Sequence, residues 1–437
     1  MFHIVVHVIA LALYVTLVTS PAWAAGAYIY ENGTPDLGTA AAGRAALGQD
    51  ASTVIGNPAG MTRLERSQLT GSLYTILPSM QFDRGSGTTS SGGNGFNAGA
   101  PIPSLSVVSV PVPAGSLFYV YSASPDVKLG VGVVSAYGGG LNYGKEWVGR
   151  YYVQKAQALS FTLNPGAAYR VNPWLSIGGG VSVNYSLLSQ TAAVNNLAER
   201  LPDGRLKFRA DDWRLGGNVG VLVEPSARLR FGVIYRSPVD FSYEDNIKFT
   251  NVGPGLRRAL ERTGVLGGET TLKQTLPQTV MASWYYALTD QLALMGNFGW
   301  QNWKEYGDVD VEVSSSTTNT RSVTPASHFQ DTWHQAIGLQ YRFSPPWLLS
   351  AGFAHDSAPV SKFHRTPSAP YDETFRYGAG LQYDWNERLT VGAAYEYLDL
   401  GDAEIANLRR GPLAGTLDGD YSSDHVHFIA LNVTWKF

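Results

Sequence analysis

The sequence predicts an all-β fold, a 14-stranded antiparallel β-barrel that spans a membrane. Three observations support this prediction: apolar residues alternate with small polar residues in many segments, short turns alternate with long loops, and the last strand ends in an aromatic residue. Charged residues make up 15% of the 437 residues, whereas an average soluble domain contains about 25%. The apolar residues are dispersed, which excludes a bundle of membrane helices with about 20 apolar residues each.

Residues 1–24 are predicted to form a secretory signal peptide. The apolar run from Ile4 to Val18 is followed by Ala22-Trp23-Ala24, which has the small-x-small pattern of a cleavage site before Ala25. The leading segment has no Lys or Arg, so its positive charge rests on the amino terminus alone. A single membrane anchor would need a longer apolar run and a basic flank. Together with the barrel, the signal predicts the bacterial outer membrane as the location.

Two further regions follow the predicted signal. Residues 25–66 are rich in Ala and Gly and show no strand-length alternation, so we expect a separate compact segment. In residues 67–437, apolar side chains recur with a period of two. Between Trp174 and Ser186, for example, one face carries Leu, Ile, Val and Tyr while the other carries Ser, Gly and Asn. A soluble β-sandwich would direct Lys, Glu and Thr toward water, whereas small polar residues suit the lumen of a barrel.

The strand number follows from the turns. Short turns belong on the periplasmic side of an outer-membrane barrel and long loops on the outside. The short breakers are 124–126, 171–173, 225–227, 288–290, 344–346 and 385–387, and the long connections lie near 78–113, 138–154, 191–203, 244–268, 313–325, 357–371 and 401–419. Six inner turns plus two periplasmic chain ends give seven hairpins, hence fourteen strands. The barrel must be closed, because a free sheet edge in hydrocarbon would leave backbone groups without partners.

The composition excludes several classes of function. The sequence has no cysteine, which rules out disulfides, thiolate metal sites and cysteine nucleophiles. Its 35 acidic and 32 basic side chains give a net charge of −3, so nucleic acid is not an expected partner. His425 and His427 share one strand face, but no third metal ligand accompanies them. We therefore expect no metal, no cofactor, no catalytic residue and no enzymatic activity.

Several motifs follow one another along the chain. In the 25–66 segment, residues 41–45 and 50–54 precede the triplet Asn57, Pro58 and Ala59. Later blocks are Tyr235-Arg236-Ser237-Pro238-Val239, Leu276-Pro277-Gln278-Thr279-Val280, Asp331-Thr332-Trp333-His334 with Gly338, and residues 352–383. Together they resemble the FadL/TodX family of transporters of long-chain fatty acids and hydrocarbons. The resemblance implies a 14-stranded antiparallel transmembrane β-barrel with an N-terminal hatch, or plug, in its lumen, formed by residues 25–66 and marked by that triplet.

A hatch in this segment is also physically reasonable. A short Gly/Ala-rich segment folds compactly, and Pro58 fixes its own φ while pushing Asn57 toward an extended conformation, so the motif makes a stiff turn. The alternative is a disordered leader, but disorder favours charge over this density of Ala, Leu and Val.

The resemblance implies a passive uptake channel for long-chain fatty acids or similar hydrophobic molecules. In the family, an outer apolar groove captures the ligand, a lumen site holds it, the hatch rearranges, and the ligand leaves sideways at a kink in the third strand. Gly138, Gly139 and Gly140 lie near the outer end of the third predicted strand, where we expect a bulge or gap; an ordinary Gly-rich loop start is the alternative. Leucines spaced by four predict groove helices at 195–201 and 255–263.

The last residues predict an assembly partner. The chain ends in Val433-Thr434-Trp435-Lys436-Phe437, whose alternate side chains share one face. This resembles the C-terminal strand signal that the barrel assembly machinery reads in outer-membrane proteins. We expect that machinery, outer-membrane lipid and lipopolysaccharide as partners, and a monomeric barrel.

The identity of the ligand depends on charge in the lumen. A buried ligand carboxylate would need a cation, because an unpaired buried charge is costly. Arg236, Arg342 and Arg376 have lumen parity and are the candidate partners. An uncharged ligand would need none, so a channel for aromatic or alkane hydrocarbons is the alternative function. A structural or adhesin barrel, which belongs to another class, predicts an empty or immobile lumen.

Overall fold

The computed structural model describes residues 30, 32, 34–89, 105–107, 112–135, 138–196, 201–262, 265–307, 310–315, 318–322, 328–409, 414–422 and 424–437. The predicted signal peptide, residues 1–24, and part of the predicted helix at 195–201 lie outside the described residues, so both stay predictions. The boundaries 25–66 and 67–437 also stay predictions.

The described strands are β1 (Gln68–Arg84), β2 (Leu105–Val107), β3 (Val112–Ser122), β4 (Val127–Val134), β5 (Gly138–Asn142), β6 (Lys155–Asn172), β7 (Leu175–Val194), β8 (Gly204–Ser226), β9 (Leu229–Arg236), β10 (Val239–Asn246), β11 (Lys248–Thr250), β12 (Glu269–Leu276), β13 (Thr279–Ala287), β14 (Leu292–Gln301), β15 (Asp310–Ser315), β16 (Thr318–Ser322), β17 (Thr332–Ser344), β18 (Trp347–Asp356), β19 (Thr374–Asp384), β20 (Leu389–Asp399), β21 (Ile405–Arg409), β22 (Thr416–Asp420) and β23 (His425–Lys436). The helices, with η for the 3-10 type, are η1 (Pro35–Thr39), α1 (Arg44–Leu47), α2 (Thr53–Gly56), η2 (Pro58–Arg63), α3 (Pro254–Arg262) and α4 (Trp303–Gly307).

Antiparallel pairing closes the wall strands into a barrel. β1 pairs with β3 on one side and with β23 on the other, where Gln68 lies opposite Lys436. Around the wall the order is β1, β3, β4 with β5, β6, β7, β8, β9, β13, β14, β17, β18, β19, β20 and β23. Because β4 and β5 occupy one position, the described wall has fourteen positions. The closed 14-stranded barrel predicted from the sequence is confirmed.

The connections follow the predicted alternation of short and long. Each predicted short breaker falls where two neighbouring wall strands meet in a hairpin, as β6 and β7 do at residues 172–175. The predicted long connection at 313–325 falls between wall strands β14 and β17, as expected; its described residues belong to β15 and β16, which join β10 and β12 in a separate four-stranded sheet. The Val, Ser and Thr residues of this segment favour pairing with β12, but the segment is too short for its alternation to be recognised.

The two faces of the wall differ as expected for a barrel in lipid. Leu73, Leu215 and Leu431 point outward and are 74%, 69% and 63% exposed. Their neighbours Ser72 and Asn432 are buried inside the barrel. Outward apolar side chains meet lipid, so they need no protein partner.

Residues 34–64 fold inside the barrel, where η1, α1, α2 and η2 contact wall strands around the lumen. Val54 and Met61 pack with Phe118 and Val134 of the wall in one apolar cluster. A hatch in the lumen is thus confirmed as part of the fold. No helix among the described residues is long and apolar enough to cross a membrane.

Candidate functional site: the hatch and the lumen above it

At several positions where the wall meets the hatch, the wall residue is a glycine. A Cβ atom on Gly232 would lie 1.8 Å from the carbonyl oxygen of Ala45, and one on Gly352 would lie 2.0 Å from that of Thr39. Other wall glycines at which a Cβ atom would collide with the hatch are Gly130, Gly178, Gly220 and Gly378. At Gly178, Gly232, Gly352 and Gly378 the hatch backbone approaches the wall directly, whereas at Gly130 and Gly220 hatch side chains fill the space, so all six positions favour glycine.

Arg230 of β9 caps the first α-helix of the hatch. Its Nε donates to the carbonyl oxygen of Ala46 at 2.6 Å, and its Nη2 donates to that of Leu47 at 3.0 Å. Its guanidinium also lies 3.6 Å from the ring centroid of Tyr285. The last carbonyl groups of a helix lack donors within the helix and carry partial negative charge. A buried guanidinium at this position therefore stabilises a helix that is too short to be stable alone.

Two further wall arginines donate to carbonyl groups of two other hatch helices. Arg236 donates from Nη2 to the carbonyl oxygen of Ile55 in α2 at 2.6 Å, and Arg170 donates to that of Thr62 in η2. Arg236, one of the candidate partners for a ligand carboxylate, thus contacts the hatch in this state. Its role with a ligand stays a prediction.

The Asn57-Pro58-Ala59 motif joins the hatch to the wall. The side chain of Asn57 is fully buried and donates from Nδ2 to the carbonyl oxygens of Ala45 at 2.8 Å and Val221 at 3.0 Å. Its Oδ1 accepts from the backbone N–H of Ala59 at 3.1 Å, and Pro58 begins η2. One amide group thus caps a hatch helix and attaches the hatch to β8.

Two further wall residues, which the sequence did not indicate, also form hydrogen bonds with the hatch backbone. Asn297 donates from Nδ2 to the carbonyl oxygen of Ala41 at 2.5 Å and accepts from the N–H of Gly43 at 2.7 Å. Ser283 accepts from the N–H of Ala45 at 3.1 Å. No sequence signal distinguishes them, because polar residues at lumen parity occur all along the wall.

The other two candidate cations lie far apart along the barrel axis. Arg342 lies at the periplasmic end of β17, donates to Asp384 at 2.9 Å and has a side chain that is 38% exposed. Arg376 is 3% exposed, forms an ion pair with Asp356, and has its Nε 3.8 Å from Oε1 of Glu396. The structure does not bring the two together, and a ligand role for either stays a prediction.

A row of buried polar residues surrounds Arg376 near the outer ends of the wall strands. His334 on β17 is fully buried, and its Nδ1 lies 3.0 Å from Oδ1 of Asp356. Within the described residues its Nε2 has no hydrogen-bond partner. Buried ionic groups need partners close by, and Arg376, Asp356 and His334 supply them to one another.

Tyr30, near the amino-terminal end of the hatch, covers this row. Its ring stacks on His334 with centroids 4.5 Å apart, and the guanidinium groups of Arg376 and Arg44 lie 5.2 Å and 5.7 Å from its centroid. Its hydroxyl accepts from Nε2 of Gln301 at 2.6 Å. The hatch therefore reaches from the middle of the lumen to the outer rim of the wall.

One apolar cluster continues from the outer loops through the lumen to the hatch. Its members include Leu37, Ala41 and Ala45 of the hatch, Leu188, Phe208, Leu398 and Phe428 of the wall, and Trp147, Phe241, Leu260, Trp303 and Tyr371 of the outer connections. The helix predicted at 255–263 is confirmed as α3, which buries Ala259 and Leu260. The hatch, the wall and the outer connections thus share one continuous apolar interior.

A hydrogen-bonded junction ties the outer connections together above the lumen. The hydroxyl of Tyr143 donates to the carbonyl oxygen of Pro367 at 2.6 Å and lies 2.6 Å from the hydroxyl of Tyr421. Nearby, Asp424 is 2% exposed and accepts from the N–H of Gln81 at 2.9 Å through Oδ1. Burial, followed by the charge of Asp83, raises the pKa of Asp424 to about 7.

The third wall position is interrupted beside the hatch. The ladder between β3 and β4 ends at Leu117 opposite Val133, and among the described residues β5 pairs with β6 alone. On β6, the partner of Val134 is Thr162 and the partner of Gly138 is Leu159. Gly138, Gly139 and Gly140 form the first half of β5, and a Cβ atom on Gly140 would meet nothing within 4 Å. Within the described residues β5 is thus paired on one side only, and the expected bulge or gap and exit at this point stay predictions.

No group of three or more His, Asp or Glu side chains within the described residues could hold a metal ion.

Comparison with known proteins places these features in a wider context. Residues 15–437 match the model of a family described as outer membrane protein transport protein (OMPP1/FadL/TodX). The chain is 27% identical over 414 residues to a long-chain fatty acid transport protein of Escherichia coli O6:H1, covering 88% of this chain and 90% of that protein. It is 25% identical to outer membrane protein P1 of Haemophilus influenzae, covering 98% of each. A crystal structure of a Pseudomonas aeruginosa FadL homologue superposes with a TM-score of 0.82 at 18% identity, covering 94% of this chain and 100% of that one.

Proposed function

The chain belongs to the OMPP1/FadL/TodX family of outer membrane transport proteins, and we propose that it is a passive uptake channel for long-chain fatty acids or similar hydrophobic molecules. The observation that carries this proposal is the continuous apolar cluster that links the outer connections, the lumen and the hatch of a closed barrel. Such a path favours molecules that gain by leaving water. Diffusion down a gradient, maintained by consumption in the cell, drives the flux.

Transport proceeds in stages along this path. The ligand is captured outside, where the apolar residues of α3 join the cluster, and then occupies the lumen above the hatch. The hatch rearranges by giving up its bonds to the wall arginines and to Asn297. The ligand leaves sideways at the interrupted third wall position, where Gly138, Gly139 and Gly140 leave the strand weakly held.

Uptake of labelled oleate by a deletion strain complemented with this protein tests the proposed activity. We expect uptake above that of the empty-vector strain, and labelled toluene in the same strain tests the alternative ligand class. Uptake of neither molecule, with normal amounts of protein in the outer membrane, would contradict the proposal.

Lateral exit is tested by filling the interruption. Replacing Gly138, Gly139 and Gly140 with Val should extend the pairing of β5 and reduce uptake at least 10-fold, while the barrel still assembles. The control replaces Gly217 by Val, because a Cβ atom there has its nearest contact at 3.6 Å and the residue lies away from the hatch. Unchanged uptake in the triple variant would exclude this exit.

A channel for aromatic or alkane hydrocarbons is the second candidate function. It is favoured by the engagement of all three candidate cations: Arg236 contacts a hatch carbonyl, Arg342 pairs with Asp384, and Arg376 pairs with Asp356. An uncharged ligand needs none of them. Oleate uptake without toluene uptake would exclude it.

The proposed partners follow from the surface of the barrel. α3 carries Arg257, Arg258 and Arg262 on its exposed face, where they meet a ligand carboxylate or the phosphates of lipopolysaccharide. Val433 and Trp435 of the last strand, β23, and the following Phe437 point outward, which suits recognition by the barrel assembly machinery. The closed barrel acts as a monomer, since β1 and β23 pair with each other.

A further inference from the structure

The outward face of β8 changes from apolar to basic along the strand. Leu215 and Trp213 point outward and are more than half exposed, as suits contact with lipid. Toward the outer end of the strand, the same face carries Arg209, Lys207 and Arg205, which are all exposed. Aromatic side chains lie at the edge of the apolar band in outer-membrane barrels. Trp213 therefore marks the outer edge of the hydrocarbon layer, and the three cations lie beyond it, at the level of the lipid headgroups.

Strand pairing places two further lysines beside these cations. Lys207 lies opposite Thr191 of β7, and Thr191 lies opposite Lys155 of β6. On its other side, Lys207 lies opposite Lys248 of β11. Residues directly opposite each other in antiparallel strands share one face of the sheet, and all three lysines are exposed. The lysines thus form one line across four neighbouring strands; with the two arginines of β8 they make up what we call the cationic row.

The positive charge of the cationic row is not offset within the protein. None of its five side chains forms an ion pair among the described residues. Two carboxylates lie near Arg209, but Asp211 bonds with the hydroxyl of Tyr185, and Asp245 accepts from the backbone N–H of Arg209 at 3.4 Å. Like charges directly opposite each other destabilise a sheet. A bound anion would remove this repulsion.

We propose that the cationic row binds the phosphate groups of lipopolysaccharide in the outer leaflet of the membrane. The row lies on the outside of the wall, so its ligand must lie against the barrel at the level of the headgroups. Phosphorylated lipid headgroups have both this position and the complementary charge. The inference goes beyond the proposed transport function, because it requires only a barrel in the outer membrane. It also assigns lipopolysaccharide to residues other than the three arginines of α3.

The spacing of the lysines selects the kind of headgroup. Neighbouring strands lie about 4.8 Å apart, so Lys207 and Lys248 reach one phosphate group together. Lys155 lies two strands from Lys207, at roughly 10 Å, and reaches a second phosphate group. The cationic row therefore suits a headgroup with two phosphate groups better than a headgroup with one.

Diphosphoryl and monophosphoryl lipid A, which differ by one phosphate group, are the matched probes. Binding to the purified full-length barrel in detergent is measured by native mass spectrometry for the wild type and for the variant Lys155→Gln, Lys207→Gln and Lys248→Gln. A cation near an anionic lipid surface strengthens binding roughly fivefold, so the triple variant should bind diphosphoryl lipid A about 100-fold more weakly. Arg at the same three positions keeps the charge and should change the affinity less than threefold.

Two controls separate the cationic row from general effects of charge. The variant Lys304→Gln, Lys362→Gln and Arg409→Gln removes three exposed cations from other outer connections and should change the affinity less than twofold. Inorganic phosphate should bind the wild type at least 100-fold more weakly than lipid A, because it has no acyl chains to lie against the apolar band. Heat-modifiable migration in electrophoresis shows that each barrel is folded.

Four results would overturn the proposal. Unchanged affinity in the cationic-row variant would place lipid A elsewhere, and equal losses in both triple variants would indicate an effect of net charge. Equal affinity of the wild type for the two lipid A forms would exclude recognition of two phosphate groups. Inorganic phosphate that binds as tightly as lipid A would identify a site for the free anion.

Uptake of labelled oleate distinguishes this inference from the proposed function. If cells with the wild-type protein take up oleate while any of these four results holds, only the lipid site fails. If the purified barrel binds lipid A as expected but cells take up neither oleate nor toluene, the proposed function fails and the lipid site stands.

Discussion

The wall and the hatch of this protein are stabilised in opposite ways. Strands β7 and β8 pair without interruption from Leu175 to Val194, so each strand satisfies its backbone through its neighbours. The hatch helices are four to six residues long, well below the roughly 12 residues at which an isolated helix becomes even marginally stable in water. The hatch helices therefore depend on the wall for their stability, whereas these wall strands satisfy their backbone through one another.

The same residue types serve different ends in the two regions. Arginines that face the hatch, such as Arg230, cap helix carbonyls, while the Arg228 side chain at a periplasmic turn is 58% exposed and pairs with Asp290. Glycines that face the hatch admit its backbone, while Gly217 is merely small. The contribution of a wall residue to closing the lumen therefore depends on whether it contacts the hatch, and not on its residue type.

The largest expected effect comes from a side chain placed where the hatch backbone lies. Gly232→Val places a Cβ atom 1.8 Å from the carbonyl oxygen of a hatch residue. The hatch must leave its position, because a backbone carbonyl group cannot rotate away as a side chain can. Overpacking of this kind costs about 1–3 kcal/mol or more. We expect conductance in planar bilayers to rise at least 10-fold while the barrel stays heat-modifiable. Gly217→Val is the matched control, and equal conductance in both variants would contradict the dependence of the hatch on the wall.

Removing a cap should have the next largest effect. Arg230→Ala leaves the carbonyl groups of Ala46 and Leu47 without their donor, and hydrogen bonds to charged groups contribute about 1.5–3 kcal/mol. Limited proteolysis should cut the hatch about 10 times faster than in the wild type, with unchanged stability of the barrel. A hatch that remains fully protected would show that the cap is dispensable.

The comparison also explains what the sequence could predict. The wall follows from alternation and turn spacing, because lipid on one side and a lumen on the other impose a strict period of two. The strands at 310–315 and 318–322 escaped prediction because they lie outside the bilayer, where no such constraint acts.

The hatch lacks a comparable signal. Its place in the fold came from the motif around Asn57, not from periodicity. Parity placed Arg236 on the lumen face, but parity does not tell whether a cation there meets a ligand or a helix carbonyl. Tyr30 lies in a segment without alternation, and the wall residues that it contacts are distant in sequence.

A pH effect should be confined to the outer connections, away from both the wall ladder and the hatch. The pKa of Asp424 is raised to about 7 in the packed junction, whereas an exposed Asp side chain has a pKa of about 4. Between these two pH values, Asp424 is protonated in the packed junction and ionised in the opened state. The stability of the junction is therefore full below about pH 4, falls as the pH rises toward 7, and is constant above that, with a total change on the order of a few kcal/mol. Protection factors from hydrogen exchange at residues 143–154 and 357–371 should be lower at pH 8 than at pH 5.

Asp424→Asn should remove that difference, since an amide does not titrate. Asp290→Asn, at a turn side chain that is 93% exposed, is the matched control and should keep it. A pH dependence that survives in Asp424→Asn would assign the effect to another group.

The smallest effect is expected at the turn where the wall meets water. Arg228 and Asp290 lie 3.1 Å apart, but their side chains are 58% and 93% exposed, and exposed ion pairs contribute about 0–1 kcal/mol. Arg228→Ala should thus leave conductance, hatch proteolysis and barrel stability within error of the wild type. It is a matched control for Arg230→Ala, because both variants remove an arginine side chain and the two positions are two residues apart on the same hairpin. If both variants accelerated hatch proteolysis equally, the loss of positive charge near the barrel floor would be responsible. The hydrogen bonds from Arg230 to the helix carbonyls would then not explain the protection of the hatch, and the different behaviour of wall and hatch would have to be explained by charge alone.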